Sequence, residues 1–197
     1  MGRKSLETQR KEEILVAFER CIVKYGLEVS LEQIADEAGI KRSLIRHYVG
    51  NRDALVHEVI ERITTDFQHQ IERMNDGIPA DALMEKTLDF LFRSDARYTD
   101  SDQIMLQVLM SAQDRYPLAK QRLQELFSTL INLLANDLST SFPGRGEDEY
   151  PSVAYGILCL SLTNESMMWL GLDATYNAYA RQQADRLIAH LQQRTAQ

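Results

Sequence analysis

Between Ala38 and Arg52 the chain carries Lys41, Arg42, Arg46 and Arg52 and no carboxylate at all. Cations grouped in this way can neutralise phosphates, and the flat fork of an arginine can read the edge of a guanine. Ser43 adds a small hydroxyl that permits close approach, and Leu44 an apolar contact. On a short helix, Lys41, Arg42, Ser43, Leu44, Arg46 and His47 form the outward side. Ser30, Tyr48 and Arg52 complete the expected DNA-binding set. Other chemistry finds less support. His47, His57, His69 and His190 are scattered, with no nucleophile or metal partner at a recognisable spacing, so no catalytic set and no metal site is expected. No cofactor is expected. The neighbours Asp36 and Glu37 read as a solvated helix surface. Cys21 and Cys159 stand far apart in apolar stretches and read as buried, reduced thiols.

The net charge of −7 argues against a polyanionic partner, but the distribution argues for one. Residues 1–60 hold 10 Lys/Arg and 10 Asp/Glu, whereas residues 61–197 hold 12 and 19. A neutral segment with a concentrated basic patch, joined to an acidic remainder, offers one face to a polyanion. No apolar run approaches the ~18 residues that a spanning helix needs. The opening MGRKSLETQR has no apolar stretch behind its basic residues, so neither a signal peptide nor a membrane partner is expected, and the cytoplasm is the expected location. Arg3, Lys4, Arg10 and Lys11 suit either a basic arm on DNA or a plain solvated tail.

These residues need helices to position them, and helical periodicity dominates the chain. Ile14, Phe18, Cys21, Ile22 and Tyr25 share one face, predicting a first helix over about Glu7 to Tyr25, stopped by Gly26. Ser30 with Gln33 three positions on forms a capping-box pattern for a short helix from Leu31 to Ala38. Gly39 ends it, a third helix covers Arg42 to Tyr48, and Asn51 caps a fourth running to Met74. Residues 75–79 read as a linker. Five further helices are predicted at about 81–97, 101–113, 118–140, 152–171 and 174–194. The expected fold is all-α with about nine helices. It comprises a helix-turn-helix head at 1–56, a connecting fourth helix, and a ligand-binding and dimerisation domain at 57–197.

The segment Leu31 to Tyr48 meets several demands together. Two short helices that cross steeply need their backbones close, and Ala35 is small at the crossing. Four positions later Gly39 can take the positive φ of a tight turn without a Cβ penalty. Ile34, Ala38, Ile40, Ile45 and Tyr48 are apolar or aromatic where the pair must pack on the first helix. A basic face on an ordinary helical hairpin would not require this combination.

Residues 8–56 resemble the DNA-binding head of the tetracycline-repressor (TetR) family. The likeness rests on Ile14-Leu15-Val16-Ala17-Phe18, Gly26, Ile34-Ala35-Asp36-Glu37-Ala38-Gly39-Ile40 and His47-Tyr48-Val49-Gly50-Asn51-Arg52-Asp53-Ala54-Leu55. It implies a homodimeric repressor of a palindromic operator, paired through its last two helices and released by a small-molecule effector. Lys41 stands where the family often has a capping Ser or Thr, Arg46 replaces a usual phosphate-touching Tyr, and Val49 a usual Phe. Arg52 takes the place of a Lys at the start of the fourth helix, where charge and free N–H groups favour a phosphate.

Residues 81–197 carry no motif of their own. They mix adaptable apolar groups with a few polar ones, the usual make-up of a small-molecule site. The resemblance places an effector pocket here, and its candidate lining residues are Phe67, Gln103, Gln107, Met110, Phe127, Tyr155, Cys159, Asn164 and Met168. Asn132 and Glu165 are further polar residues in these stretches. The function expected is sequence-specific, ligand-responsive DNA binding without catalysis. A helical module that docks an acidic protein, and a small-molecule-handling enzyme with a structural head, remain the alternatives.

Overall fold

The computed structural model describes residues 3–75, 80–92 and 100–193, with side chains 3–5, 70–75, 80–81, 106, 109–114 and 192–193 left aside. All its elements are helices: α1 (Arg3–Tyr25), α2 (Leu31–Ala38), α3 (Arg42–Tyr48), α4 (Arg52–Asn75), α5 (Ala80–Leu91), α6 (Asp100–Arg115), α7 (Pro117–Ser141), α8 (Glu149–Trp169) and α9 (Thr175–Gln193). No strand occurs among the described residues, and none of their helices is long and apolar enough to cross a membrane. The all-α expectation holds. α1 starts ahead of Glu7, and α8 starts at Glu149 rather than residue 152. Pro151 then falls in the first turn of α8, where a missing N–H costs nothing. The expected end of the fifth helix at 97 lies outside the described residues.

Two compact units emerge, one of Met1–His69 with Arg97–Glu125, the other of Gln70–Ala96 with Leu126–Gln197. Compactness thus groups α6 and the start of α7 with the helix-turn-helix, unlike the 1–56 and 57–197 division drawn by function. The reason is a set of cross-links inside the first unit. Arg115 on α6 pairs with Glu28 at 2.7 Å. Arg122 on α7 reaches Glu61 at 3.3 Å and Gln68 at 3.2 Å on α4. The amides of Gln103 and Gln107 approach the carbonyls of Val23 and Ile22, in the last turn of α1, at 3.5 Å.

The core of this unit gathers Ile14, Phe18 and Ile22 of α1, Ile34 of α2, Ile45 of α3 and Leu55 and Ile60 of α4, all fully buried. Each such side chain contributes roughly 1.5–3 kcal/mol by leaving water. Tyr25, expected on the same apolar face of α1, is instead 49% exposed. Gly26 turns the chain away beside it, at φ +84°, and Lys24 Nζ lies 4.8 Å from the Tyr25 ring.

The second unit has its own core, in which Leu88 of α5, Leu138 of α7, Ile157 of α8 and Ile188 of α9 converge. α8 and α9 pack closely: a Cβ on Gly156 would stand 3.2 Å from Leu187 Cδ1. The last carbonyls of α5, which a helix cannot satisfy internally, are taken up by side chains. Ser161 Oγ donates to Leu91 O at 2.9 Å, and the buried Asn177 donates from Nδ2 to Phe92 O at 2.8 Å.

Candidate nucleic-acid interface

The α2–turn–α3 segment is built by its caps. Ser30 stands in extended backbone at the N-cap of α2. Its hydroxyl accepts from Gln33 N at 3.2 Å, while Gln33 Oε1 accepts from Ser30 N at 2.9 Å, so the capping box is closed. Gly39 takes φ +65° after α2, and Ile40 N donates to Ala35 O at 3.0 Å. A side chain at Gly39 would meet nothing within 4 Å, so backbone conformation, not space, calls for glycine there. Ala35 is buried at the crossing, and Ile45 anchors α3 beneath it at 0% exposure.

With Ile45 facing inward, the rest of α3 faces outward. Lys41, Arg42, Ser43, Leu44, Arg46 and His47 are exposed, and Tyr48 is half-buried, its ring 4.9 Å from that of His47 in an edge contact. Lys41 is the N-cap of α3; its ammonium has no acceptor with which to cap the helix, and it makes no side-chain cap bond. Arg42 Nη1 donates to Glu32 Oε1 across the turn. Lys41 and Arg46 have no ion-pair partner among the described residues. The Ser30 hydroxyl accepts within the cap, and its own proton stays free to donate.

Arg52, expected near a phosphate at the start of α4, makes a contact within the chain. It is half-buried, and its Nη1 donates to the carbonyl of Leu27 in the turn between α1 and α2, tying α4 to that turn. Asn51 Oδ1 caps α4 by accepting from Ala54 N at 2.9 Å. Arg10 and Lys11 are likewise no tail. They lie on α1 and pair with Glu13 at 2.7 Å and with Glu58 of α4 at 2.6 Å. The side chains of Arg3 and Lys4 lie outside the described residues.

The candidate effector residues fall into both units. Phe67, Gln103 and Gln107 belong to the first, and Phe127, Tyr155, Cys159, Asn164 and Met168 to the second; the side chain of Met110 lies outside the described residues. Asn164 Nδ2 donates to Asn177 Oδ1 at 2.6 Å, which makes it part of the network that satisfies α5. Phe127 and Met168 are half-buried. Tyr155 is 60% exposed. Cys21 is buried as expected, but Cys159 is only half-buried and lies in an open groove between α8 and α9, with Gly156, Leu160, Leu187 and His190. It escapes burial because it shares a stripe of α8 with Tyr155, Thr163 and Met167, none of which is buried.

Sequence reasoning missed a group of exposed apolar residues at the α8–α9 turn and on α9. Leu170 is 76% exposed, and Leu172, Tyr176 and Tyr179 are exposed around it. The four-residue spacing of Tyr155, Cys159, Thr163 and Met167 was the available signal. Among the described residues no group of three or more His, Cys, Asp and Glu could hold a metal.

Residues 14–59 match the model of the bacterial regulatory proteins, tetR family. Solved structures share the fold along nearly the whole chain. A candidate transcriptional regulator from Saccharomonospora viridis in complex with choline is 17% identical, with a TM-score of 0.77 over 93% of this chain and 97% of that one. A TetR-family transcriptional regulator from Streptomyces coelicolor is 13% identical, with a TM-score of 0.76 over 93% and 96%. A TetR transcription regulator from Haloarcula marismortui is 18% identical, with a TM-score of 0.76 over 93% and 98%. No curated protein matches the chain in sequence.

Proposed function

We propose that this chain, whose head belongs to the tetR family of bacterial regulatory proteins, is a homodimeric repressor that reads a palindromic operator and leaves it when a small molecule binds. The observation that carries the reading is the outward face of α3, where Lys41, Arg42, Arg46 and His47 stand exposed above the buried Ile45.

A helix of this length touches few base pairs, so one head binds weakly. Two heads related by a two-fold axis can place their α3 helices in successive major grooves, about 34 Å apart. Lys41 and Arg46 take phosphates, Arg42 and Leu44 meet base edges, and Ser30 donates its free proton to the backbone at the edge of the site. Tyr48 supports the helix from its half-buried position. Arg52 sets the angle of α4 against the turn between α1 and α2, and any phosphate there is held mainly by backbone N–H groups.

The exposed faces of α8 and α9 supply the pairing surface. Leu170, Met167, Tyr176 and Tyr179 form an uncovered apolar group of the kind that marks a protein interface, and pairing of the two hairpins gives a four-helix bundle. Residues 57–197 act as the sensing and pairing part, and the choline bound by the Saccharomonospora relative supports a small organic effector. Phe127 and Met168 are the half-buried candidates for its walls. The effector releases DNA only by binding the non-operator form more tightly. The protein works in the cytoplasm, where its DNA is, and its action requires binding and no catalysis.

Fluorescence anisotropy on the DNA upstream of its own gene, across a salt series, tests the reading. The wild type binds with a steep inverse dependence on salt. Lys41→Ala with Arg46→Ala lowers the slope by about two, one phosphate for each lost cation, and leaves the dimer intact. An unchanged slope in the double variant removes α3 as the reading element.

A further inference from the structure

Glu32 lies in the first turn of α2 and Arg42 in the first turn of α3, and Arg42 Nη1 donates to Glu32 Oε1. Among the described residues no other ion pair joins these two helices. Both side chains are about half exposed, at 50% and 55%, and a pair so open to water adds little to stability. Its consequence lies elsewhere, because one of its members stands on the face that meets DNA.

We propose that Glu32 determines specificity by positioning Arg42: it keeps the guanidinium away from phosphates and aims its free edge at a base. The inference rests on the DNA-binding reading of α3. Glu32 takes Nη1 and leaves Nε and Nη2 as a two-donor edge, matching the O6 and N7 acceptors of a guanine. The same carboxylate repels phosphate oxygens, which are the commonest competing partners of an arginine on any duplex. Glu32 is itself steadied by the positive N-terminal end of α2. Non-specific binding consists of phosphate contacts with counterion release, so removing Arg42 from those contacts weakens binding to random DNA more than to the operator. Lys41 and Arg46 remain as the phosphate cations, which divides the labour along a single helix.

The test uses Glu32→Gln, which keeps shape and removes charge, with circular dichroism confirming the fold. The probes are a random-sequence duplex and a duplex enriched from a random pool by the wild-type protein. Glu32→Gln is expected to bind the random duplex about threefold to tenfold more tightly, with a salt slope steeper by about one as Arg42 finds a phosphate. The ratio of enriched to random affinity falls accordingly. In an Arg42→Ala background the same substitution changes neither quantity. Glu37→Gln serves as the control for net charge, since Glu37 pairs with Arg20 of α1 at 3.7 Å and not with α3.

Wild-type affinity and slope in Glu32→Gln would overturn the proposal. So would an equal shift from Glu37→Gln, which would make the effect one of overall charge. A wild type that enriches no duplex would defeat the DNA-binding reading itself, a result distinct from either.

Discussion

Among the described residues, ion pairs cross-link the first compact unit, and neutral hydrogen bonds between side chains and helix ends are prominent in the second. In the first, Lys11–Glu58, Arg62–Glu12 and Arg122–Glu61 join helices that are far apart in sequence, and Arg115–Glu28 ties α6 to the turn after α1. In the second, Asn164 donates to Asn177, Asn177 and Ser161 donate to the carbonyls at the end of α5, and Tyr150 Oη donates to Phe142 O at 2.7 Å. Arg181, paired with Asp89 and Asp185, brings charge there too. Their outward faces differ in the same sense: α3 presents cations, whereas the α8–α9 turn presents leucine and tyrosine. A unit that meets a polyanion at a surface keeps its charges near water and balanced. A unit proposed to meet its own copy has to offer apolar area, and charges there would carry a desolvation cost.

The contrast breaks most visibly at the apolar face. Met167→Asp combined with Tyr179→Asp puts two charges on each proposed pairing surface and touches no core residue. Sedimentation is expected to show a monomer with an unchanged helical spectrum. Operator affinity then drops about 100-fold or more, since the second head is no longer delivered by the first. A dimer that survives both aspartates assigns the pairing to another surface. Next in size is Ile45→Ala, which empties the anchor under α3 and costs about 2–5 kcal/mol by denaturant titration. Because that anchor belongs to the first unit alone, the second unit's helical signal should persist to higher denaturant in this variant.

The two units also differ in how far the sequence disclosed them. Ser30, Gln33, Gly39 and Asn51 were legible as caps and stops because each satisfies a local backbone requirement, visible within four residues, and the structure has every one of those bonds. Ile34 and Ile45 followed from the need of the crossing helix pair for apolar residues against the first helix, and both are fully buried. The role of Arg52 was not legible, since its partner, the carbonyl of Leu27, lies 25 positions away and is a backbone group common to every residue. Tyr155 and Cys159 looked like cavity walls because an apolar stripe has the same spacing whether a core or a partner chain covers it. Burial distinguishes the two: Tyr155 is exposed and Cys159 only half-buried. Gln103 and Gln107 were ambiguous for a related reason: an amide suits a helix end, here the carbonyls of Val23 and Ile22, as well as a ligand.

A smaller effect sharpens the first half of the contrast. Ser30→Ala opens the capping box and removes an acceptor from the start of α2, at a cost of about 1 kcal/mol. Serine-to-threonine at the same position should recover most of it. A loss near zero would mean that the turn at Gly39 and the buried Ile34, not the cap, hold α2 in place.

The smallest effect concerns the charges inside the first unit. Glu19 of α1 is half-buried beside Arg62, and loss of water raises its pKa above the usual carboxylate value despite that arginine. Glu12, Asp66 and Asp100 push in the same direction. A carboxyl with a raised folded-state pKa binds its proton more tightly in the native form than in the unfolded one. It therefore favours folding at low pH, and this advantage fades as pH rises from the unfolded value of about 4.3 through the raised one. Glu19→Gln removes that dependence. The stability of the glutamine variant relative to wild type, measured by urea titration, should accordingly be nearly level below the window and grow in the variant's favour across it. If wild type instead gains on the variant as pH rises, the Arg62 pairing outweighs burial, and the first unit is held by its charges more strongly than their exposure suggests.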